Sequence, residues 1–592
     1  MLALHPSAVP AWMIERATAR RLAGDWRGAC AAAGVDVDVD LAAVRRVHGA
    51  EVAGQAEDDL RHLVPDLLRW HLPRRPADGL LRTGLRLPLA LFPDVHALVA
   101  RPPERLDRPQ RISIRFERLD NAAAGRRDDA LLHLRDRWDA RRTGELLARC
   151  GGVTRLPLFT AAGERLDAPG EDQEGAVARA VLLDEAGRHA EAWAAAGFTL
   201  EVLLFDDRWG RERIDPAAFA AGPGRDEARR RAVEQSLSWL RPLHAALAGV
   251  ARRLVAHVAE LRRVAPVERE PAYHHGYTAP AQAINVPVPD PLPLGVDEHA
   301  GLVRIDVRGR CIVLDRLDTG APRARLVAGV PYGRADDARR RAEVAEFGLE
   351  LARVPRLPHV LARRPAELTA LLSGSVRPDQ LHPLVHRALF PAAAVPPPPP
   401  PPGLRDRVRV YCNRALHQVE LRGGTVHLPH PPVEIQREHA IKALGGQVQG
   451  CVAARDGWRD ATVRMPAPMR GLRRDLLTLV WHGDGPAVAA ALDAGVDPHV
   501  RDERGRTLLH LLPWLSGVDL LPRLLAAGLD VHARDLHGET PLHPAVDYGT
   551  PELVRGLLDA GADPHARSQR PYARAPIWTG RQDLQFLRNL IR

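Results

Sequence analysis

Apolar and polar positions along this chain follow two periods, and they change from one to the other several times. Over residues 11–72 the period is helical. Trp12, Ile14, Ala17 and Ala19 precede a turn near Gly24-Asp25, and Leu60, Leu63, Leu67, Leu68 and Leu72 recur at three- and four-residue steps. Pro65 inside that run predicts a break or a helix start. Residues 85–118 read as extended. Ile112, Ile114 and Phe116 alternate with Ser113, Arg115 and Glu117, the period of a half-buried strand. The apolar run Leu200 to Phe205 predicts another strand. Residues 225–264 return to a helical period, with Val233, Leu237, Leu240, Leu247, Val250, Leu254, Val258 and Leu261 on one side and a kink or division at Pro242. A proline-rich loop or linker at 266–295 follows. Val303, Ile305 and Val307, the turn Arg308-Gly309-Arg310, and Cys311 and Val313 then predict a hairpin, and Ala335 to Leu351 a helix.

Pro396 to Pro402 is an unbroken proline run. It predicts polyproline II, rising roughly 3 Å per residue, and reads as a spacer; a docking ligand for an SH3-like partner is the sharper alternative. In 404–470, Val408, Val410, Val419, Leu421, Val426 and Leu428 predict two or three strands with a turn at Gly423-Gly424. Glu434 to Leu444 predicts a helix closed by Gly445-Gly446. Beyond it the chain repeats every 33 residues. Asp493-Ala-Gly-Val-Asp-Pro-His-Val500 recurs as Ala526-Ala-Gly-Leu-Asp-Val-His-Ala533 and as Asp559-Ala-Gly-Ala-Asp-Pro-His-Ala566, with Gly505-Arg-Thr-Leu-Leu-His510 and Gly538-Glu-Thr-Pro-Leu-His543 between them. A fixed period of this size marks units that bury their apolar faces only by stacking. Thr540 suits a helix cap, Pro541 a first helical position and Gly561 a left-handed helix end.

These residues resemble the ankyrin repeat. Arg534–Ala566 follows the pattern at Gly538, Thr540, Pro541, Leu542, His543, Ala545, Gly549, Leu557, Leu558, Gly561, Ala562 and Asp563. Arg501–Ala533 follows it at Gly505, Thr507, Leu509, His510, Leu524, Leu525, Gly528 and Asp530. Leu508 stands there in place of the proline and Ser516 in place of the inter-helix glycine, and Pro513 and Pro522 fall inside its two helices. Asp475–Val500 and the segment carrying Trp578, Phe586, Leu587, Leu590 and Ile591 read as degenerate end units. The resemblance implies about four units over 471–592 and a binding module that meets a protein partner through hairpin tips and the concave helix face. The tips carry His499 and Arg501, His532 and Arg534, and His565 and Arg567, the candidate partner-binding residues. His510 and His543 read as structural residues of the helix start.

Composition narrows the chemistry. The net charge is +9 and the hydrophobic fraction 45%, that of a folded chain. The charge alone would raise nucleic acid as a partner. Lys442, however, is the only lysine, so arginine supplies nearly all of the basic charge, as a high-GC bacterial coding bias would; aromatic residues are only 4%, too few for stacking platforms. Cys30, Cys150, Cys311, Cys412 and Cys451 are scattered without a Cys-x-x-Cys pair, which argues against disulfides and against a thiolate zinc site. No leader pattern and no apolar run long enough to span a membrane is evident, so a cytoplasmic location is expected.

Catalytic signatures are wanting: Lys442 is followed by Ala443 rather than Ser or Thr, and no Gly-x-Ser-x-Gly or His-Glu-x-x-His occurs. Asp36, Asp38 and Asp40 lack the glycine and glutamate of a calcium loop, with Leu41 and Val47 at those places, and read as a solvated loop or strand edge. His382 and His386 share a helix face without a third ligand, and Tyr273-His274-His275-Gly276-Tyr277 is a poor chelate. Arg229-Arg230-Arg231, Arg252-Arg253 and Arg262-Arg263 form a basic helical face.

The expected architecture is therefore multidomain α+β, with N-terminal mixed α/β regions followed by a C-terminal all-α ankyrin-repeat solenoid. The expected order is an α+β domain at 1–265, the loop at 266–295, a small α+β region at 296–395, the proline linker at 396–403, a small α+β module at 404–470 and the repeats at 471–592. The expected function is protein–protein interaction as an adaptor or scaffold, with no enzyme activity, cofactor or metal, and with the oligomeric state open. The alternatives are an effector or enzyme whose N-terminal catalytic domain the repeats target and, more weakly, a nucleic-acid-binding protein.

Overall fold

In the computed structural model, described residues are 8–119, 126–127, 130–206, 210–216, 227–237, 240, 303–307, 310–316, 322–328, 357, 359–398, 404–569 and 581–591. The predicted loop at 266–295, the helix Ala335 to Leu351, Tyr273 to Tyr277, Arg252-Arg253, Arg262-Arg263 and Trp578 lie outside them, as does part of the proline run.

The helical period at the start of the chain yields helices Ala11–Leu22, Trp26–Ala32, Leu41–His48, Ala50–Arg61 and Pro65–His71, with Pro65 opening the last of these. Asp25 caps the second through the Gly28 amide at 2.8 Å, and Asp40 caps the third through Ala42 and Ala43 at 3.0 Å. A short strand interrupts them. Strands β1 (Val35–Asp38), β2 (Leu85–Phe92), β3 (His96–Arg101), β4 (Ile112–Arg118) and β5 (Arg126–Arg127) form one sheet in the order β1-β4-β3-β2-β5. Ile112 and Ile114 face the core while Arg115 faces water, as their alternation requires. Asp36 and Asp38 lie on the exposed edge strand β1. Asp36 takes the Arg111 guanidinium at 2.5 and 2.8 Å, and Asp38 takes Arg115 at 3.4 Å, so these carboxylates serve a cross-strand ladder.

The second sheet departs from the expected domain order. It contains β6 (Thr199–Asp206), β7 (Gly210–Ile214), β8 (Val303–Val307), β9 (Arg310–Asp315) and β10 (Arg323–Ala328) in the order β7-β6-β10-β9-β8. Strand β6 pairs in parallel with β10, Leu200 opposite Ala324 and Val202 opposite Leu326. Residues 266–295 therefore do not separate two cores: 1–265 and 296–395 are interlaced through a shared sheet. The helices Ala366–Leu372 and Pro383–Leu389 repeat the point. Leu368, Leu371, Val385 and Phe390 pack with Val64, Leu67, Leu146 and Phe159 from the first half of the chain.

Buried polar pairs hold this interlacing in register. Nε2 of His71 lies 2.9 Å from Glu367 Oε1, and Arg137 lies 3.4 Å from Glu367 Oε2, all three side chains being closed to water. Burial alone would raise the Glu367 carboxyl, but Arg137 and His71 bring it well below the usual carboxylate range. His382 and His386 are core residues. His382 Nδ1 accepts the Leu384 amide at 3.2 Å, capping the Pro383–Leu389 helix, and its Nε2–H donates to Asp66 at 2.9 Å. Arg229, Arg230 and Arg231 lie on the helix Glu227–Leu237.

The 404–470 segment forms a three-stranded antiparallel sheet, β11 (Arg407–Cys412), β12 (Ala415–Arg422) and β13 (Thr425–His427), with the predicted turn at Gly423-Gly424. Two helices follow, Pro432–Ala443 and Gly450–Arg459. Its core is not its own. Val410, Val419, Leu421, Trp458, Met465 and Met469 belong to one continuous apolar cluster that runs through the repeats to Leu587. The repeats follow as helix pairs: Ala467–His482 with Gly485–Asp493, Leu508–Leu511 with Leu521–Ala526, and Leu542–Tyr548 with Pro551–Asp559. A 3-10 segment, Gln582–Ile591, comes last. In the second pair, Pro513 ends the first helix after one turn, which continues as a 3-10 turn, Leu512–Trp514. Pro522 falls in the opening turn of its partner, where no amide is missed.

Glu367→Ala would leave Arg137 and His71 buried without their anion. A loss of about 3–5 kcal/mol is expected, read as a shift in the denaturant midpoint of the N-terminal unfolding transition, while Glu171→Ala on the surface leaves that midpoint in place.

Candidate functional site

The face offered by the repeats is built from turn chemistry. Each unit closes on Asp-x-His. Asp497 Oδ1 accepts the His499 amide at 2.9 Å, Asp530 that of His532 at 2.8 Å, and Asp563 that of His565 at 2.8 Å. The aspartate replaces a backbone acceptor, as in an Asx turn. Asp502 then accepts the amides of Arg504 and Arg506, and Asp535 those of His537 and Glu539, at 2.8–2.9 Å. Gly505 and Gly538 turn the chain at φ of 77° and 72°, in the left-handed region that favours glycine.

The predicted ladder divides between two roles. Arg501 donates to Gly505 O at 2.6 Å within its unit and to Arg534 O at 3.1 Å in the next. Arg534 repeats the pattern with Gly538 O at 2.8 Å and Arg567 O at 2.9 Å. These two guanidiniums stitch unit to unit. His532, His565 and Arg567 stand exposed at the tips, and His499 is half-buried with Nδ1 3.1 Å from Asp497.

His510 and His543 hold the helix starts. Nδ1 of His510 accepts the Thr507 amide at 3.1 Å, and Nδ1 of His543 accepts that of Thr540 at 3.0 Å. An Nδ1 that accepts must be unprotonated, so the proton of His510 sits on Nε2, which donates to Glu539 O of the next unit at 3.0 Å. Burial pushes His510 down to about 4 and lowers His543 as well.

The N-terminal body lies against this array. Trp12 Nε1 donates to Asp484 at 3.1 Å, Arg16 reaches Gly517 O at 3.4 Å, and His482 Nε2 meets Asp78 O at 3.2 Å. Gly517 sits at φ 90°, and a β-carbon there would come within 3.0 Å of the Trp12 ring and of Pro486. The loop between β3 and β4 crosses the repeats: Asp107 takes Arg504 at 3.2 Å, and Arg108 lies over the Tyr548 ring. Burial would raise Asp107, but Arg504 and Arg105 carry it below its usual range.

Between the two bodies runs a groove of about 1270 Å³. Its N-terminal wall carries Arg86, Arg101, Arg108, Arg111 and Arg115 against Asp36 and Glu104. Its array wall carries Asp519, Asp547, Glu552 and Asp583 against Arg581, with Leu521, Leu525, Leu553 and Val518 between them. Most of the arginines are already held: Arg86 and Arg101 share Glu117 at 2.6 and 2.5 Å. The groove is thus pre-shaped, bipolar and apolar along one side, features of a recognition surface. Sequence reasoning missed it because its walls come from segments some 400 residues apart.

Elsewhere, Cys412, His417, His430 and Cys451 bring four ligand atoms within 4.8 Å of one another, the single such group of three or more His, Cys and carboxylates among the described residues. Among the described residues, no helix is long and apolar enough to cross a membrane.

Residues 476–568 match the family model for ankyrin repeats, in three copies, and no family model matches the rest of the chain. No curated protein matches the chain.

Two outcomes are expected of the array. The folded His510 site excludes a proton that the unfolded chain accepts near pH 6.5. Its contribution is complete above pH 6.5 and is lost as the pH falls toward 4. That loss, about 3 kcal/mol at most, appears as lower protection factors across 507–543 at pH 4.5 than at pH 7, with intrinsic rates corrected for at each pH, and His510→Gln flattens the trend. Gly517→Val, which forces a branched side chain into the left-handed region and into the Trp12 ring, is expected to raise exchange in the Ala11–Leu22 helix and to leave that in Pro551–Asp559 unchanged.

Proposed function

We propose that this chain, as its ankyrin repeats imply, is an adaptor whose short repeat solenoid binds a protein partner, and that the partner enters the groove between the array and the N-terminal sheet. The observation that carries the reading is the groove itself. Its array wall is built from the inter-helix turns at 515–520 and 549–550 and the helices that follow them, and its other wall is supplied by the same chain. The 102–111 loop lines part of it, so the surface is composite. Its arginine wall suits acidic side chains, its carboxylate wall suits basic ones, and Leu521, Leu525 and Leu553 suit apolar anchors. A polypeptide segment carrying both charges meets all three requirements. The exposed tips His532, His565 and Arg567 would extend contact beyond the groove, and Arg501 and Arg534 act through the stacking they enforce.

The arrangement also bears on specificity. Charged walls steer encounter and reject mismatched partners more than they add affinity, while buried apolar anchors supply most of the binding energy. The N-terminal two-thirds would thus select the partner that the repeats hold.

A photo-cross-linking residue at Val518, 42% exposed within the groove, is expected to trap a partner protein in cells. The same residue at Val433, 74% exposed on the 404–470 module, is expected to trap none. Glu552→Arg should weaken the captured complex by about tenfold, roughly 1.4 kcal/mol. Trapping from Val433 alone would move the binding surface out of the groove.

A further inference from the structure

The 404–470 module has a weak point at its far end. The helix Pro432–Ala443 buries no residue: Val433 is 74% exposed, and Ile441 and Leu444 also face water. No fully buried apolar side chain fixes it to the sheet, yet a short turn joins it to the buried Gly450–Arg459 helix. Small modules with so little core of their own need a staple. Four side chains gather where the helix begins and where the chain returns after it.

We propose that Cys412, His417, His430 and Cys451 bind a zinc ion that fastens this helix and the next to the β-hairpin. Cys412 ends β11, and His417 sits opposite Val410 on β12, so both project from the buried face of the hairpin. His430 precedes the Pro432–Ala443 helix, and Cys451 lies in the first turn of Gly450–Arg459, fully buried. Nδ1 of His417 is 3.0 Å from Nε2 of His430. The Cys412 sulfur is 3.6 Å from His430 Nε2, and the Cys451 sulfur is 3.8 Å from His417 Nδ1. Sulfur–metal bonds near 2.3 Å and nitrogen–metal bonds near 2.0 Å place tetrahedral ligand atoms about 3.3–3.8 Å apart, so the cage is close to the size zinc requires.

Three features argue that the cluster is a site and not a chance meeting. His430 Nδ1 lies 2.8 Å from Glu434 Oε2. That bond puts the ring proton on Nδ1 and aims the Nε2 lone pair into the cluster, the carboxylate–histidine arrangement common behind metal-bound imidazoles. Gly450 sits at φ 59°, and a β-carbon there would lie 2.5 Å from the Cys412 sulfur, so glycine is what lets the second helix start beside that thiol. The hairpin turns on Asn413 and Arg414 at φ 49° and 66°. An arginine in the left-handed region costs backbone energy, and here it holds Cys412 opposite Ala415 across a tight two-residue turn. Four protein ligands close the coordination sphere, which makes the site structural. The cysteines carry no pair spacing because the ligands are five, thirteen and twenty-one residues apart, which is why the sequence argued against a thiolate site.

The test uses the full chain, purified under reducing conditions without a metal-affinity tag. Elemental analysis is expected to find one zinc per chain. Exchange into cobalt(II) is expected to give the intense visible bands of a tetrahedral ion together with thiolate-to-cobalt charge transfer. Cys412→Ser is expected to lose the charge-transfer intensity from one thiolate, and Glu434→Gln, which leaves all four ligands in place, to weaken zinc about 10–100-fold in a chelator competition. Removing zinc is expected to speed hydrogen exchange in 430–451 while the repeats keep their protection. A reduced, natively folded chain that binds neither zinc nor cobalt would overturn the proposal, as would an octahedral cobalt spectrum, zinc retained unchanged in Cys412→Ser, or a Cys412–Cys451 disulfide as the form present in cells.

Discussion

A stack of repeats leaves an apolar face bare at each end, and much of this molecule follows from covering those faces. At the leading end the cover is the 404–470 module. Trp458 buries its ring against the array and donates through Nε1 to Asp497 O at 3.0 Å, and Arg459 takes the Asp497 carboxylate at 2.8 Å. Gly424 donates to Gly495 O at 3.1 Å, which joins the hairpin turn to the first repeat turn. A fully buried tryptophan is worth about 2–3 kcal/mol or more relative to exposure, and Met465 and Met469 add to it. The module and the repeats therefore share one core from Val408 to Leu587. At the trailing end, among the described residues, Leu584, Leu587 and the half-buried Phe586 pack onto the same core.

The N-terminal two-thirds solves a different problem. Its second sheet and its buried ion pairs join segments far apart in sequence. An unpaired charge in such a core is costly, so Glu367, Arg137 and His71 hold only one arrangement of the chain. The same body then presents Trp12, Asp78 and Asp107 to the repeats. The loop that anchors the array also lines the groove.

The sequence made local structure legible where turn chemistry and period agreed. The 33-residue spacing exposed the repeats because the same aspartates and glycines must recur at each turn, and the alternation at Ile112, Ile114 and Phe116 marked a strand that is half-buried. Two features lay beyond the sequence for physical reasons. The loop at 266–295 read as a linker because composition is local, whereas the pairing of β6 with β10 is not. The arginines at 501 and 534 entered as candidate partner contacts because sequence shows a side chain and not the carbonyl it reaches. The groove and the four-residue cluster were invisible for the same cause: each depends on which distant segments fold together.

A single core makes the module at 404–470 and the repeats one cooperative unit and not two beads on a chain. Native-state hydrogen exchange of the full chain in increasing denaturant tests this directly. The slowest amides of β11, β12 and the Gly450–Arg459 helix are expected to open together with those of Ala467–His482 and Leu542–Tyr548, at one free energy and with one denaturant dependence. Strands β11 and β12 opening at a distinctly lower free energy while the repeats stay closed would contradict it.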